Sequence, residues 1–421
     1  MDDCLQNPGA WIGLDEALAR HVECLKPAVA SEILPLCKAH GRILANDLVS
    51  AIDSPPFASA AMDGFAVRNA DLSPSEDGTA LRVVARIAAG HPIHRRFEKG
   101  EAARIFTGAM MPPDLDTVVM QEDCAIDEHR GKELVHVPAK GATGRHVRRA
   151  GSDFMAGTIV LRAGRRLRPQ HVALAATAGQ SELSVYRPLR VMLFSSGDEI
   201  VEPGDPLPPG AVYTSNRFAL AALTEGLGCQ VTDMGNLPDN FDATRQALSD
   251  AAKNCDLLIT SGGVSVGGED HIRAAVQSLG MVHPWKLAIK PGKPTALGSV
   301  GETCFIGLPG YPVAAQVAFM IFARPVILKL SGATADLIGP WRFKVRAAAP
   351  FTKNHAKRQF VRARLQTGPN GETQAIPYAS QGTSVELSLT DSDGLVDMRE
   401  DVRHIAPGEY VDFIPYNSMQ F

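Results

Sequence analysis

The chain of 421 residues is 45% hydrophobic and 21% charged, and its formal net charge is −4 at pH 7. This length exceeds what one hydrophobic core normally serves, so we expect two to four domains. A near-neutral chain without a long basic block is not typical of nucleic-acid-binding proteins, so we exclude nucleic acid as a partner. Its seven cysteines are scattered and form no C-x-x-C pair, which indicates reduced thiols in the cytoplasm and neither zinc nor disulfides.

Two stretches bear on secretion and membranes. The N-terminal residues MDDCLQNPGAW lack the basic start and the apolar core of a secretion signal, so we expect none. The most hydrophobic stretch, residues 311–330, is interrupted by Arg324 and Pro325 before it reaches the length of a membrane span. We therefore interpret it as a buried helix and expect no membrane association.

The N-terminal part of the chain combines a β-rich stretch with flanking helices. The stretch is rich in glycine, proline and β-branched residues, and strands are predicted at 80–90, 117–123 and 133–139. Helices are predicted on either side of it, at 14–25 and 168–179, and we expect them to pack together. The predicted domains are an inserted β-rich domain at 48–144 and a discontinuous linking domain at 1–47 and 145–186.

The middle of the chain alternates strands and helices. Strands are predicted at 189–195, 230–237, 256–260 and 303–308, and helices at 217–228, 242–254, 270–280 and 313–328. Such a βαβ series predicts a doubly wound, mostly parallel α/β domain at 187–331. After a linker, the stretch that begins PWRFKVRAAAP predicts a C-terminal β domain at 338–421.

Three glycine-containing turns each follow a predicted strand of the α/β domain. They are SSGDE at 195–199, SGGVSVGGED at 261–270 and GLPGYP at 307–312. In an open parallel sheet such turns lie along the carboxyl edge, where ligands bind, and their backbone N–H groups cradle anions. Any one of them alone fits an ordinary connection, whereas the three together favour a ligand site.

Four acids, Asp198, Glu199, Glu269 and Asp270, fall on the same edge. A helix N-terminus favours an anion by about 1 kcal/mol. A carboxylate ~4 Å from a phosphate opposes it by about 4 kcal/mol per charge pair at an effective dielectric near 20. A phosphate site here therefore predicts Mg²⁺, which carboxylates and phosphates hold jointly. A helix cap remains the alternative for Asp270, and a solvated first-turn acid for Glu269.

The stretch WKLAIKPGKPTA places Lys286, Lys290 and Lys293 close together. Its turn Lys290-Pro-Gly-Lys293 aims two ammonium groups at one place, and two prolines stiffen it. We interpret this turn as an oxyanion site, with a solvated turn as the alternative.

Other charged and polar residues are less distinctive. Asp63 in AAMDGFAV and Asp153 in RRAGSD lie beside glycines and, taken alone, read as turn acids. Thr107 in RIFTGAMMPP reads as part of a hairpin bend. The alternating stretch KRQFVRARL places three arginines on one face of a strand, with an exposed edge as the alternative interpretation: Arg358, Arg362 and Arg364.

Taken in order, these motifs resemble the molybdopterin molybdotransferases, the MoeA and gephyrin E-domain family. The motifs are AMDGFAV, RIFTGAMMPP with TVVMQE, VRRAGSD, FSSGDEI, PGAVYTSNRFAL, SGGVSVGGED, KLAIKPGKP and GLPGYPV. The resemblance runs from about Asp15 to the C-terminus. It implies a four-domain, L-shaped cytoplasmic homodimer whose α/β domain is of the molybdopterin-binding type.

The resemblance also implies an activity and its partners. Family members complete molybdenum cofactor synthesis: they bind adenylyl-molybdopterin, insert molybdate and release AMP, with Mg²⁺ assisting. A molybdopterin adenylyltransferase and the enzymes that accept the cofactor are implied as partners. The alternatives left open are a molybdopterin adenylyltransferase, a non-catalytic binding or delivery protein, and the use of tungstate.

Site residues follow from the matching positions. The family's catalytic residues fall on Asp63, Asp153, Glu199, Asp239, Asp270, Lys286 and Lys290. Its molybdate site falls on Lys290, Lys293, Pro294, Arg362 and Ser388, and we expect Glu199 and Asp270 to hold the metal. We expect substrate and phosphate contacts at Thr107, Ser196, Gly197, Ser261, Gly262, Gly263, Ser265, Gly267, Pro309 and Gly310.

The chain departs from the family pattern in a few places. Apolar or small residues replace polar ones before Asp63, at Ala58, Ser59 and Ala60. Elsewhere the usual Asn, Asp and Glu are replaced by Tyr311, Thr214 and Gln359. These changes affect the surroundings of the acids and lysines and leave those residues themselves in place.

Overall fold

The computed structural model describes residues 11–22, 24–74, 78–129, 132–138, 141–237, 240–263, 271–334 and 339–420. Within them, the strands form one seven-stranded sheet, two six-stranded sheets and several two-stranded pairs. The sheets correspond to the predicted α/β, β-rich and C-terminal β regions, so the multidomain fold class is confirmed. The domain boundaries given above stay predictions.

The central sheet is built around short, buried strands. Leu257–Ser261 and Thr303–Leu308 are buried along their whole length, as expected where helices cover both faces of a sheet. Four pairings are parallel and two are antiparallel. In spatial order the strands are Trp11–Ile12, Gly280–Leu287, Pro294–Val300, Thr303–Leu308, Leu257–Ser261, Arg190–Ser196 and Gln230–Leu237.

Alternate residues of each strand serve two separate cores. Leu257 and Ile259 join one hydrophobic cluster, whereas Leu258 joins the other, as the two-residue period of a strand requires. The helices on the first face are Asn216–Gly226 and the continuous run Pro312–Leu330, and those on the second are Phe241–Ala252 and His271–Leu279. The predicted doubly wound arrangement is therefore confirmed.

The longest helix lies in the interior of the protein. It consists of Pro312–Ala318, a wider π turn at Phe319–Ala323, and Arg324–Leu330. Pro325 has no N–H to give the preceding turn, which accounts for the irregular hydrogen bonding there. Of the helices in the described ranges, it alone is long and apolar enough to cross a membrane, and 89% of its apolar window is buried inside the protein. It is a core helix, as predicted.

The two helices that flank the β-rich stretch do not pack together. Pro169–Thr177 shares a core with the paired strands Ser31–Pro35 and Glu182–Tyr186. The apolar face of Leu14–Val22 instead joins the core of the α/β domain beside Arg324–Leu330. The prediction that they form one packed unit is wrong, because the long helix offers the first of them a larger apolar surface.

The β-rich stretch folds as a six-stranded sheet, and all three strands predicted in it are present. Its strands in spatial order are Thr117–Met120, Gly64–Val67, Glu101–Ile105, Thr79–Ile87, Lys132–Val137 and Ala125–His129. Two further short pairs connect it to the linking region: Ser59–Ala60 with Val147–Arg148, and Leu48–Val49 with Ile159–Leu161.

The C-terminal strands close into a barrel-like sheet. Its strands in spatial order are Ile289–Lys290, Arg358–Thr367, Thr373–Pro377, Phe343–Ala347, Tyr410–Pro415 and Gly394–Met398, and the last also pairs with Arg358–Thr367. The first of these belongs to the α/β domain in sequence. Its parallel pairing with Arg358–Gln359 joins the predicted lysine turn to the barrel.

Candidate active site

A cavity of about 1020 Å³ lies where the α/β domain meets the C-terminal barrel. One wall follows the carboxyl ends of the strands Arg190–Ser196, Leu257–Ser261 and Thr303–Leu308. The lysine turn and residues of the barrel form the opposite wall. The cavity therefore lies at the sheet edge where the three glycine turns place a ligand site.

The three glycine turns meet in space. A Cβ atom on Gly310 would lie 3.7 Å from the Cα of Gly262, and one on Gly262 would lie 3.2 Å from the carbonyl oxygen of Ser196. The amide of Asn216 donates 2.7 Å hydrogen bonds to both Ser261 Oγ and the Gly310 carbonyl. Asn216 thus fixes the second turn against the third, a role that its position at a helix start in TSNR does not reveal.

The first glycine turn brings a carboxylate to the cavity. Glu199 is exposed and lines the cavity, and its Oε2 would lie 2.4 Å from a Cβ on Gly197. Gly197 has φ +144°, a conformation that favours glycine, and its carbonyl accepts a 3.1 Å hydrogen bond from Asn236. The missing side chain at Gly197 therefore gives the Glu199 carboxylate its place.

Two polar atoms in the cavity wall are left without partners. Ser195 Oγ and Asn216 Oδ1 are buried and make no hydrogen bond to any described residue. Both residues line the cavity, and buried polar atoms in native proteins are normally satisfied. Their placement suits a polar ligand that approaches the glycine turns.

Three lysines lie on the opposite wall. Lys290 and Lys293 belong to the predicted oxyanion turn, and Lys357 immediately precedes the strand Arg358–Thr367. Across the described ranges, no carboxylate lies within ion-pair distance of these three ammonium groups. Burial, with the nearby charges of Lys293 and Lys290, lowers the pKa of Lys357. This wall therefore carries three positive charges, and the one carboxylate that the barrel adds to the described lining, Glu386, accepts a hydrogen bond from Ser215 Oγ.

Lys357 is held in place by a buried neighbour that has no part in the cavity. The ammonium of Lys353 donates to the carbonyls of Lys357 at 2.7 Å and Met398 at 3.2 Å, and also to that of Arg399. Burial and the charge of Arg403 lower the pKa of Lys353. The sequence does not single out Lys357, because the clearest pattern in KRQFVRARL is the alternation of the arginines that follow it.

Two residues predicted for the oxyanion site lie together but away from the cavity. Arg362 Nε donates to Ser388 Oγ at 3.1 Å, and its Nη2 donates to the carbonyl of Gly382 at 2.9 Å. Arg362 is 1% exposed and Ser388 is fully buried, and neither lines the cavity. Burial lowers the pKa of Arg362 to about 10. Their assignment to the oxyanion stays a prediction.

The exposed-edge interpretation of the arginine strand is wrong for two of its three arginines. Arg358, like Arg362, is 1% exposed. Its guanidinium pairs with Asp397 at 2.6 Å and with Asp15 at 2.7 Å, and Asp397 holds its pKa above the ordinary value despite burial. Arg358 therefore ties the barrel to the start of the N-terminal helix.

Comparison with known proteins decides the family. Three family models match in order: the MoeA N-terminal region (domain I and II) at residues 12–179, a probable molybdopterin binding domain at 192–329, and the MoeA C-terminal region (domain IV) at 344–416. A molybdopterin molybdenumtransferase of Haemophilus influenzae is 36% identical over 96% of this chain and 99% of its own length. This chain belongs to the MoeA family.

Other relatives agree. A molybdopterin molybdenumtransferase of a Nostoc species is 40% identical over 72% of this chain and 70% of its own length. The crystal structure of a molybdopterin biosynthesis MoeA protein from Pyrococcus horikoshii OT3 matches with a TM-score of 0.81 and 26% identity, covering 97% of this chain and 100% of the other. The resemblance inferred from the motifs is thus confirmed over nearly the whole chain.

A second group of predicted residues of this MoeA-family chain lies in the β-rich sheet. The backbone N–H and the hydroxyl of Thr107 each donate a 2.7 Å hydrogen bond to Asp63 Oδ1. These two bonds, with a smaller contribution from Arg104, lower the pKa of Asp63. Asp153 lies on an exposed turn. None of the three lines the 1020 Å³ cavity, and their functional roles stay predictions.

Several predictions fall where the structure gives no description. Asp239, Ser265, Gly267, Glu269 and Asp270 lie outside the described residues. The backbone of Lys286 lies on the strand Gly280–Leu287, where it pairs with Pro294. Of the remaining predicted residues of the MoeA-type site, Gly197 is not in the cavity lining, and the following are: Ser196, Glu199, Ser261, Gly262, Gly263, Lys290, Lys293, Pro294, Pro309 and Gly310.

The departures from the family pattern occupy different surroundings. Tyr311 lines the cavity and is 64% exposed, so its ring is available to a ligand. Thr214 and Gln359 are buried, and Ser59–Ala60 forms a short strand with Val147–Arg148. Among these positions, Tyr311 and Thr214 lie on the cavity wall.

Proposed function

We propose that this chain is a molybdopterin molybdenumtransferase. It transfers molybdenum from molybdate to adenylyl-molybdopterin and releases AMP. The observation that carries the proposal is the pairing, across one cavity, of three glycine turns with three lysines that lack described carboxylate partners. Two relatives bearing that name are 36% and 40% identical to this chain over 96% and 72% of its length.

The lysine wall is the proposed site of molybdate. Ammonium groups are compact cations with several donors, and a tetrahedral dianion satisfies more than one of them at once. Lys290, Lys293 and Lys357 come from two segments that the pairing of Ile289–Lys290 with Arg358–Gln359 brings side by side. Binding of the anion relieves the mutual repulsion of these charges, which favours molybdate over a neutral guest.

The glycine wall is the proposed site of the phosphates. Gly262 and Gly263 have φ of +90° and +66°, a conformation that other residues rarely adopt. The Gly262 N–H donates to the Leu308 carbonyl at 3.0 Å, so the proposed backbone donor of this turn is the N–H of Gly263. The buried hydroxyl of Ser195 supplies an unpaired donor beside it. When water attacks one phosphorus of the phosphoanhydride, the bridging oxygen leaves with the other phosphate, and AMP and molybdopterin separate.

We further propose that Mg²⁺ assists at the glycine wall. The donor set fits: the exposed Glu199 carboxylate faces the cavity, and carboxylates with phosphate oxygens are the ligands Mg²⁺ prefers. Glu199 would hold the ion together with Asp270. Bound Mg²⁺ would neutralise charge that builds on the phosphate oxygens.

A homodimer in the cytoplasm is the proposed assembly. The linking region exposes apolar side chains that a monomer would leave in water, and two of them, Val49 and Ile159, are direct partners across two strands. Ile52 and Met155 are exposed in the same region. Sedimentation of Ile159→Asp tests this assignment: a shift from dimer to monomer is expected, and an unchanged parent-like mass contradicts it.

The activity is tested by AMP release. Purified protein is incubated with adenylyl-molybdopterin, molybdate and Mg²⁺, and AMP is measured beside a Lys344→Met control, since Lys344 is an exposed lysine paired with Asp412 on the barrel. Ligand binding without AMP release would indicate a delivery protein. If the protein consumed ATP without molybdate, it would be an adenylyltransferase. The matches to the MoeA regions at 12–179 and 344–416 do not favour that alternative.

A further inference from the structure

A short N-terminal strand places a tryptophan next to the lysine wall. Trp11–Ile12 pairs in parallel with the end of Gly280–Leu287, and the N–H of Ala288 donates a 2.8 Å hydrogen bond to the Ile12 carbonyl. Trp11–Ile12 is the edge strand of the central sheet, and its partner Gly280–Leu287 ends just before the turn that carries Lys290 and Lys293. The strand pairing therefore fixes the position of the Trp11 backbone, from which the ring extends.

The Trp11 ring contacts two of the three cavity lysines. Its centroid lies 4.2 Å from Lys357 Nζ and 5.1 Å from Lys293 Nζ. The two lysines come from different segments, one before a barrel strand and one in the α/β domain. The ring is 48% exposed and belongs to none of the hydrophobic core clusters of the described residues. Its contacts with the lysines are thus its main identifiable role.

The contact between the Trp11 ring and the two ammonium groups stabilises positive charges that lie close together. Ammonium groups held near one another repel, and partial burial of Lys357 disfavours its charged form further. The face of an indole attracts cations and is the strongest of the aromatic faces in this respect. A ring shared by two lysines offsets their repulsion without a carboxylate, which would compete with an incoming oxyanion for the same donors.

We propose that Trp11 is a positioning residue for the oxyanion site. Its ring holds the ammonium groups of Lys293 and Lys357 side by side and charged before the anion arrives. The N–H bonds that point away from the ring remain free to donate to a tetrahedral oxyanion. This inference rests on the proposed function, because it takes molybdate as the anion that these lysines bind.

The experiment titrates molybdate alone into the full chain and five variants, by calorimetry. The variants are Trp11→Leu, Trp11→Phe, the matched control Trp341→Leu, and Lys357→Met with and without Trp11→Leu. Trp341 is 64% exposed and lies at the start of the barrel, outside the cavity lining. Thermal unfolding of every variant checks that the strand Trp11–Ile12 has not been lost with its side chain.

The expected result is a graded loss. Trp11→Leu should bind molybdate about fivefold more weakly than the parent, since two ring contacts with cations are removed. Trp11→Phe should recover part of that loss because it keeps an aromatic face, and Trp341→Leu should match the parent. In the Lys357→Met background, Trp11→Leu should have a smaller effect, because one of the two charges it positions is gone.

Other results would overturn the inference. Equal binding by Trp11→Leu and the parent removes the role of Trp11 and leaves the proposed function intact. Equal weakening by Trp11→Leu and Trp11→Phe would show that an aromatic face at this position does not contribute to molybdate affinity, and would also reject the inference. If the parent itself does not bind molybdate, the proposed oxyanion site fails, and the role of Trp11 fails with it.

Discussion

The two walls of the cavity are built by different means. The glycine wall consists of backbone turns that neutral hydrogen bonds from Asn216 lock together at 2.7 Å. The lysine wall consists of long charged side chains from segments far apart in sequence, positioned by Lys353, by strand pairing and by the Trp11 ring. One wall is therefore shaped by local backbone conformation and the other by tertiary contacts.

The largest effect should come from removing charge from the lysine wall. Lys293→Met should lower kcat/KM for AMP release about 100-fold or more, as loss of one donor to a developing or bound oxyanion commonly does. Lys344→Met, which removes an exposed lysine of the barrel, should leave it unchanged. Parent-like turnover by Lys293→Met would show that the lysine wall does not hold the reacting oxyanion.

The glycine wall should respond through stability as well as activity. Asn216→Ala removes two hydrogen bonds that join the second and third turns, at a cost of about 1–3 kcal/mol in the free energy of unfolding. Asn46→Ala is the control, because it removes one 3.1 Å bond at an exposed site and should cost little. Denaturant titration measures both. An Asn216→Ala variant as stable as Asn46→Ala would mean that the turns hold themselves together.

The two walls also differ in how far the sequence predicts them. The strands and turns of the glycine wall were all predictable, because each depends on local signals: a buried apolar run followed by glycine at a position of positive φ, as at Gly262. The convergence of those turns followed from the general topology of parallel sheets. The lysine pair Lys290 and Lys293 was also predictable, because both residues lie within four consecutive positions.

The remaining features depend on contacts that no local pattern encodes. Lys357 reaches the cavity only because Ile289–Lys290 pairs with Arg358–Gln359, which joins two domains. Arg362 has the charge that an oxyanion site requires, yet the barrel buries it against Ser388. Trp11 precedes the first helix by a few residues, and its importance appears only when its strand is paired with Gly280–Leu287.

Changing pH should affect the lysine wall more than the glycine wall. Since the pKa of Lys357 is lowered, this lysine loses its proton at a lower pH than an ordinary lysine, whose pKa is about 10.4. Molybdate affinity should therefore be full below the lowered pKa and decline as the pH rises through it. Lys357→Arg keeps its charge throughout this range, so its affinity should decline less over the same interval.

Calorimetric titration of molybdate across alkaline pH measures this difference. The relevant charged neighbours of Lys357 are Lys293 and Lys290, whose proximity contributes to its lowered pKa. They remain in the Lys357→Arg variant, so the two proteins differ only at the group in question. Parallel decline of the parent and Lys357→Arg would assign the pH dependence to the other two lysines.

The smallest effect should come from Tyr311, the residue at which the glycine wall departs from the family pattern. Its ring is 64% exposed, so Tyr311→Asn should change the free energy of unfolding by less than about 0.5 kcal/mol. Because the side chain lines the cavity, the variant should instead shift KM for adenylyl-molybdopterin by a few-fold while molybdate affinity stays constant. Tyr410→Asn, at a similarly exposed tyrosine of the barrel, is the control and should change neither constant. If Tyr311→Asn altered molybdate affinity instead, the two walls would not act separately, and the division of labour between turns and lysines would have to be abandoned.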